Sequence, residues 1–261
     1  MSKQQNRKYL LGLWARSLVP VVLCVMVVST LASSSRSHVY SSALLFGMLG
    51  FFGFIAGLVW WKVRGTSAAM ARALRSPTPE LALDLVDRSF RTTTVADADA
   101  FLAQTRSGVL ALYGEGERAR EALRPVDWER RAPLVQAAGV VSESLIALIC
   151  DGDFARGLSD AYRARALAEV TPGTLGRKTS NRLYDTVVAF AQVLVNEEQA
   201  STLPTLEASA KAKLFPKLQA IAVAGLAAHA HRADTAEHFE ARRRELASLA
   251  PKLDEVFFGG E

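Results

Sequence analysis

Leu145-Ile-Ala-Leu-Ile-Cys-Asp-Gly-Asp-Phe-Ala-Arg-Gly-Leu-Ser-Asp-Ala-Tyr-Arg-Ala-Arg-Ala166 is the stretch whose reading decides the fold. Its first part closes an apolar helix pattern that opens at Ala132, Asp151-Gly152 interrupts it, and a second pattern runs from Asp153 to Val170. One helix, a tight turn and another helix cannot bury their apolar faces alone, so such a unit needs neighbours built the same way. Outward from it, helix patterns cover Pro79 to Phe90, Val95 to Tyr113, Glu117 to Leu123, Thr179 to Glu198, Leu203 to Lys213, Leu218 to His231 and Thr235 to Leu249. Ala, Leu, Arg and Glu dominate them, and no period-2 alternation competes. The expectation is an all-α domain over residues 79–261. Thr94 with Asp97, and Asp234 with Glu237, are the expected N-terminal caps. Ala132 to Cys150 is apolar enough to be tested as a membrane span, but Gln136, Ser142, Glu143 and Ser144 favour a buried core helix.

The turn sites Gly114 to Gly116, Asp151-Gly152 and Arg232-Ala233 divide these helices into pairs. Gly116 and Gly152 are 36 residues apart, and Gly152 and Ala233 are 81 apart, about two further units. Leu145 to Ala166 resembles the tetratricopeptide-repeat superfamily. It matches the end of a first helix, a Gly-Asp-aromatic turn, and a second helix with small residues at its packing positions, Gly157, Ala161 and Ala164. Leu110 to Leu123 resembles a second, eroded copy. Ser144 and Leu145 stand where the family prefers Leu and Gly, and the closing proline is displaced to Pro172. The resemblance covers about half of residues 79–251. It implies an antiparallel helical-repeat domain with a protein-binding role and does not identify the ligand.

Toward the N-terminus, Ala43-Leu-Leu-Phe-Gly-Met-Leu-Gly-Phe-Phe-Gly-Phe-Ile-Ala-Gly-Leu-Val-Trp-Trp61 is a run of nineteen residues without a charge. That length crosses roughly 30 Å of hydrocarbon as a helix. Trp60 and Trp61 fall where an interfacial aromatic belt belongs, and Lys62 and Arg64 follow on what should be the cytoplasmic side. A shorter apolar run from Leu18 to Ala32 has two readings. With Lys3, Arg7, Lys8 and Arg16 before it, it makes the first arm of a transmembrane hairpin, helices at about 17–33 and 43–61. Alternatively it is the core of a signal peptide ending at Thr30-Leu31-Ala32. The hairpin is favoured, with both termini and the helical domain in the cytoplasm and residues 65–78 as a linker. In that linker Thr78 should cap a helix whose first residue is Pro79. Ala43, Gly47, Gly50, Gly53 and Gly57 share one face of the second span, a stripe suited to close helix packing within the hairpin or to homo-oligomerisation.

The net charge of +5 has the same origin. Residues 1–61 hold five Lys or Arg and no acid, which leaves 26 basic against 26 acidic residues in the rest. Without the juxtamembrane Lys62, Arg64, Arg72 and Arg75 the balance is 22 against 26. The basic excess therefore reports topology and lipid headgroups, and nucleic acid is not an expected partner. Cys24 and Cys150 lack any spacing motif for a disulfide framework or a zinc site. Abundant Ala, with Arg over Lys, fits a bacterial chain and a plasma (inner) membrane location.

Among candidate sites, Gly173-Thr-Leu-Gly-Arg-Lys-Thr-Ser180 departs from a phosphate loop at every diagnostic point: glycine spacing, Arg177 before Lys178, and a preceding helix where a strand is needed. Arg177, Lys178, Asn181 and Arg182 do gather at a helix N-terminus, where an anion or a partner's carboxylate can be held. His229, His231 and His238 lack a further ligand for a metal. Phe257 and Phe258, after Pro251, are expected to fold back on the last helix pair. Neither a cofactor nor catalysis is expected. The sequence points to a membrane-anchored helical-repeat scaffold that docks an unidentified protein partner at the cytoplasmic face. The alternative is an accessory subunit of a membrane transport or secretion assembly, contacting partners through the glycine-striped hairpin.

Overall fold

The computed structural model describes the backbone of residues 38–91, 97–170 and 177–259, and their side chains except at 38–51, 54, 55, 58, 59 and 177–180. Among the described residues all regular structure is helical, in eleven α-helices. The first expected span, the signal-peptide alternative and Thr94 lie outside the described residues. The chain divides into a unit of residues 2–66 and a compact unit from Ser67 to Glu261.

Helix α1, His38–Ala73, is continuous over 36 residues and contains the whole apolar run to Trp61. It therefore continues through most of the expected linker. The reason is local: Ser67-Ala-Ala-Met-Ala-Arg-Ala73 consists mostly of strong helix formers, and the breakers Pro77 and Pro79 come only afterwards. Pro79, not Thr78, occupies the cap position of α2 (Glu80–Phe90), with no side-chain cap bond. The end of α1 belongs to the compact unit, since Ser67 Oγ donates to Leu214 O at 2.7 Å and the buried Tyr113 hydroxyl donates to Ala73 O at 2.9 Å.

The helices that follow are α3 (Ala98–Leu112), α4 (Gly116–Leu123), α5 (Pro133–Ile146), α6 (Phe154–Glu169), α7 (Arg177–Val195), α8 (Thr202–Ala210), α9 (Pro216–Arg232), α10 (Ala236–Leu249) and α11 (Pro251–Phe258). They pack as hairpins α3/α4, α5/α6, α7/α8 and α9/α10. The first members adjoin in turn, α3 on α5, α5 on α7 and α7 on α9. Each second helix also touches the first helix of the next pair, α4 on α5, α6 on α7 and α8 on α9.

Small residues permit these approaches. Gly157 lies so close to α5 that a Cβ there would stand 2.4 Å from Leu148 Cγ, and a Cβ on Gly139 would stand 2.6 Å from the Trp128 ring. Ala161 and Ala164, further along the same face of α6, are fully buried. The stretch Pro133–Asp151 is long and apolar enough to cross a membrane, yet 67% of its apolar window is buried within the protein, with Val135, Ile146 and Leu148 at or near zero exposure. Its last residues, Ala147–Asp151, widen into a π-helical turn, and Gly152 leaves it at φ 67°.

The expected cap at Asp234 is corrected. Asp234 adopts φ 54° in the turn, Thr235 takes the cap position, and the Thr235 hydroxyl donates back to Ala230 O at 3.0 Å. A turn this tight needs a left-handed residue, which Asp tolerates, and that use removes its side chain from capping.

Candidate functional site: a polar groove between α6, α7 and α8

On α7, Val187, Phe190 and Ala191 turn into the core while Arg182, Asp185 and Gln192 recur at helical spacing along another face. The α6 residues Tyr162 and Arg165 and the start of α8, Ser201, Thr202 and Thr205, meet this stripe. Together they bound two hollows that share Asp185, Ser201 and Thr205. The larger, about 560 Å³, is open and walled by Arg182, Pro204, Ala208, Ser209 and Phe215. The smaller, about 250 Å³, is more enclosed and lined by Arg165, Gln192, Gln199 and Thr202.

A hydrogen-bonded seam fixes its floor. Gln192, 4% exposed, donates from Nε2 to the Tyr162 hydroxyl at 2.8 Å and accepts from Thr202 Oγ1 at 2.6 Å. Thr202 Oγ1 in turn accepts from the Gln199 backbone N–H at 2.9 Å. Asp185 faces Arg165 at 3.2 Å, and Arg165 Nε also reaches Glu169 at 3.2 Å. Burial pushes the Asp185 carboxyl above its ordinary range, Arg165 pulls it down, and Glu169 pushes it up again. The groove thus presents amides, hydroxyls, one ion pair and, at its rim, the exposed ring of Phe215. Polar groups of this kind beside an apolar ring are the features that recognition surfaces combine.

Of the four expected anion contacts, Arg177 and Lys178 have backbone positions in the first turn of α7, and their side chains lie outside the described residues. Asn181 and Arg182 are half-buried. Arg182 donates to Ala208 O at 3.0 Å, so its guanidinium is engaged in the groove wall. Of the glycine stripe, the side-chain positions of Ala43, Gly47 and Gly50 lie outside the described residues, while Gly53 and Gly57 are exposed and a Cβ on either would meet no described atom within 4 Å.

The histidines are separated in role. His229 Nδ1 lies 3.0 Å from Glu198, which also pairs with Arg232, and the His231 ring packs 4.8 Å from that of Phe239. Among the described residues no three His, Cys, Asp or Glu gather as a metal site. Burial, reinforced by Asp151, pushes the Cys150 thiol up to about 11, which leaves it a poor nucleophile at neutral pH. Comparison with known proteins finds no family model, no curated protein and no solved structure that matches the chain.

Proposed function

We propose that the protein is a membrane-anchored helical-repeat scaffold, tetratricopeptide-like in architecture, that docks a protein partner in the groove between α6, α7 and α8 on the cytoplasmic side. The observation that carries this reading is the groove itself, a polar seam with an ion pair and an exposed Phe215, set in a row of helical hairpins. The membrane part is supported by the uncharged run within α1 and by exposed Trp60 and Trp61 followed by Lys62 and Arg64. Confinement to the membrane raises the local concentration of a partner already there.

Affinity purification of the full chain from native membranes, followed by mass spectrometry, tests the proposal. Arg165→Glu, inside the groove, should deplete the co-purified partner by about tenfold, the loss expected for a central interface contact, and Phe215→Ala at the rim should deplete it less. An unchanged partner set with both variants would refute the groove. The accessory-subunit reading is favoured by one observation, the face at Gly53 and Gly57, which no described atom approaches. It predicts the reverse pattern: assembly survives the groove variants and is lost on Gly53→Leu.

A further inference from the structure

Helix α11 is joined to α10 through Ala250 alone and turns back over other hairpins. Leu253 is fully buried and Phe258 is 5% exposed. Val256 reaches the turn after α3, where a Cβ on Gly114 would stand 2.9 Å from Val256 Cγ2. The helix also touches the π turn that ends α5. The Phe257 ring meets Phe190 of α7 edge-on at 5.7 Å, and Phe258 meets Phe239 of α10 edge-on at 5.3 Å, with His231 of α9 at 6.4 Å. Arg243 of α10 holds both ends, donating to Phe258 O at 2.9 Å and facing Asp254 at 3.5 Å. Eight residues thus contact elements of all four hairpins. That is the behaviour of a peptide in a receptor face more than of one further helix stacked at the end of a row.

The fit is incomplete in one place. Asp254 Oδ1 is buried and meets Arg243 Nε only at 3.5 Å, an ion pair too long for a good hydrogen bond, which leaves this part of the seat weaker than the rest. Glu255 is exposed, and Val256, although it reaches Gly114, stays 40% exposed.

We propose that α11 is a resident ligand, and that the face beneath it is a second docking surface for a short amphipathic helix carrying an acidic residue one turn before two adjacent aromatics. An incoming helix of that kind displaces α11, pairs with Arg243 and places its aromatics against Phe190 and Phe239. The surface shares no lining residue with the groove between α6, α7 and α8, so it stands or falls separately from the scaffold reading.

The test uses a fluorescein-labelled peptide of residues 250–261, the chain ending at Ala250, and the full chain, both purified in detergent. The peptide should bind the shortened chain saturably and the full chain far more weakly. Replacing Phe257 and Phe258 by Ala in the peptide should weaken binding by at least about tenfold. In the intact chain, hydrogen exchange should show the amides of 254–258 opening locally, well before those of α9. Equal binding of native and double-Ala peptides, or α11 amides that exchange only with global unfolding, overturns the proposal. So does a shortened chain that fails to fold, because α11 is then core and not ligand.

Discussion

Lys217 shows how one side chain can work against the fold that contains it. It stands in the first turn of α9, its Nζ 4.0 Å from where a Cβ on Gly108 would be, and among the described residues no carboxylate pairs with it. The residue is half-buried, and desolvation of its amine pulls it down from 10.5 to about 8. Between those two values the unfolded chain binds more protons than the folded one, so this group makes stability rise with pH across the window and weakens the fold fully below it. Lys217→Met should therefore raise Tm at pH 7, by on the order of 2 kcal/mol of stability after allowance for solvent. The gap between variant and parent should narrow from pH 8 to pH 10, checked by thermal denaturation of both at each pH. Gly157 makes the opposite case. A methyl group there would stand 2.4 Å from Leu148 Cγ and Cδ2, and Leu148 is 1% exposed and has nowhere to go. Gly157→Ala should cost about 1–3 kcal/mol in urea unfolding, the usual cost of overpacking. Gly157 was legible in the sequence, because a small residue in a helix after a Gly-Asp-aromatic turn has few other uses. Asp185 and Gln192 were not, because what marks them is the arrival of α6 and α8 against α7, which no local pattern encodes.

At the scale of elements, the nine helices expected between Pro79 and Leu249 are all present, some extended by one or two residues at an end and others shortened by up to four. Ala- and Leu-rich periodicity over 8 to 19 residues is a strong signal, whereas a cap depends on one side chain choosing between competing bonds, as Thr235 does. Helix α11 was read only as a tail that folds back. Ala250 takes φ −150°, and Pro251 begins the next helix at its first position, where its missing N–H costs nothing. The polar seam invites a test at this scale. Gln192→Leu removes the acceptor of Thr202 and the donor to Tyr162 together, in a setting where Gln192 is 4% exposed. It should lower stability by about 1–3 kcal/mol by stranding the Thr202 hydroxyl, and Thr202→Val in the same chain should recover part of that loss in a double-mutant cycle.

For the whole molecule, a row of hairpins spreads surface over several elements, and the two docking surfaces proposed above differ in kind, one polar and open, one apolar and filled. The all-helical class was legible because composition and periodicity agree along the chain. The second surface was not, because it exists only where the chain returns on itself more than a hundred residues later, Val256 to Gly114. The π turn at Ala147–Asp151 has a consequence for side-chain phase. A widened turn advances less per residue than an α-helical one, so Cys150 and Asp151, near its end, point behind where a regular helix would aim them. From those positions Asp151 faces Arg120 and Cys150 Sγ lies 3.7 Å from Ala111 O. A single-residue deletion within the turn would restore regular winding, keep every hydrophobic residue of the preceding helix in place, and still turn both contacts away from their partners.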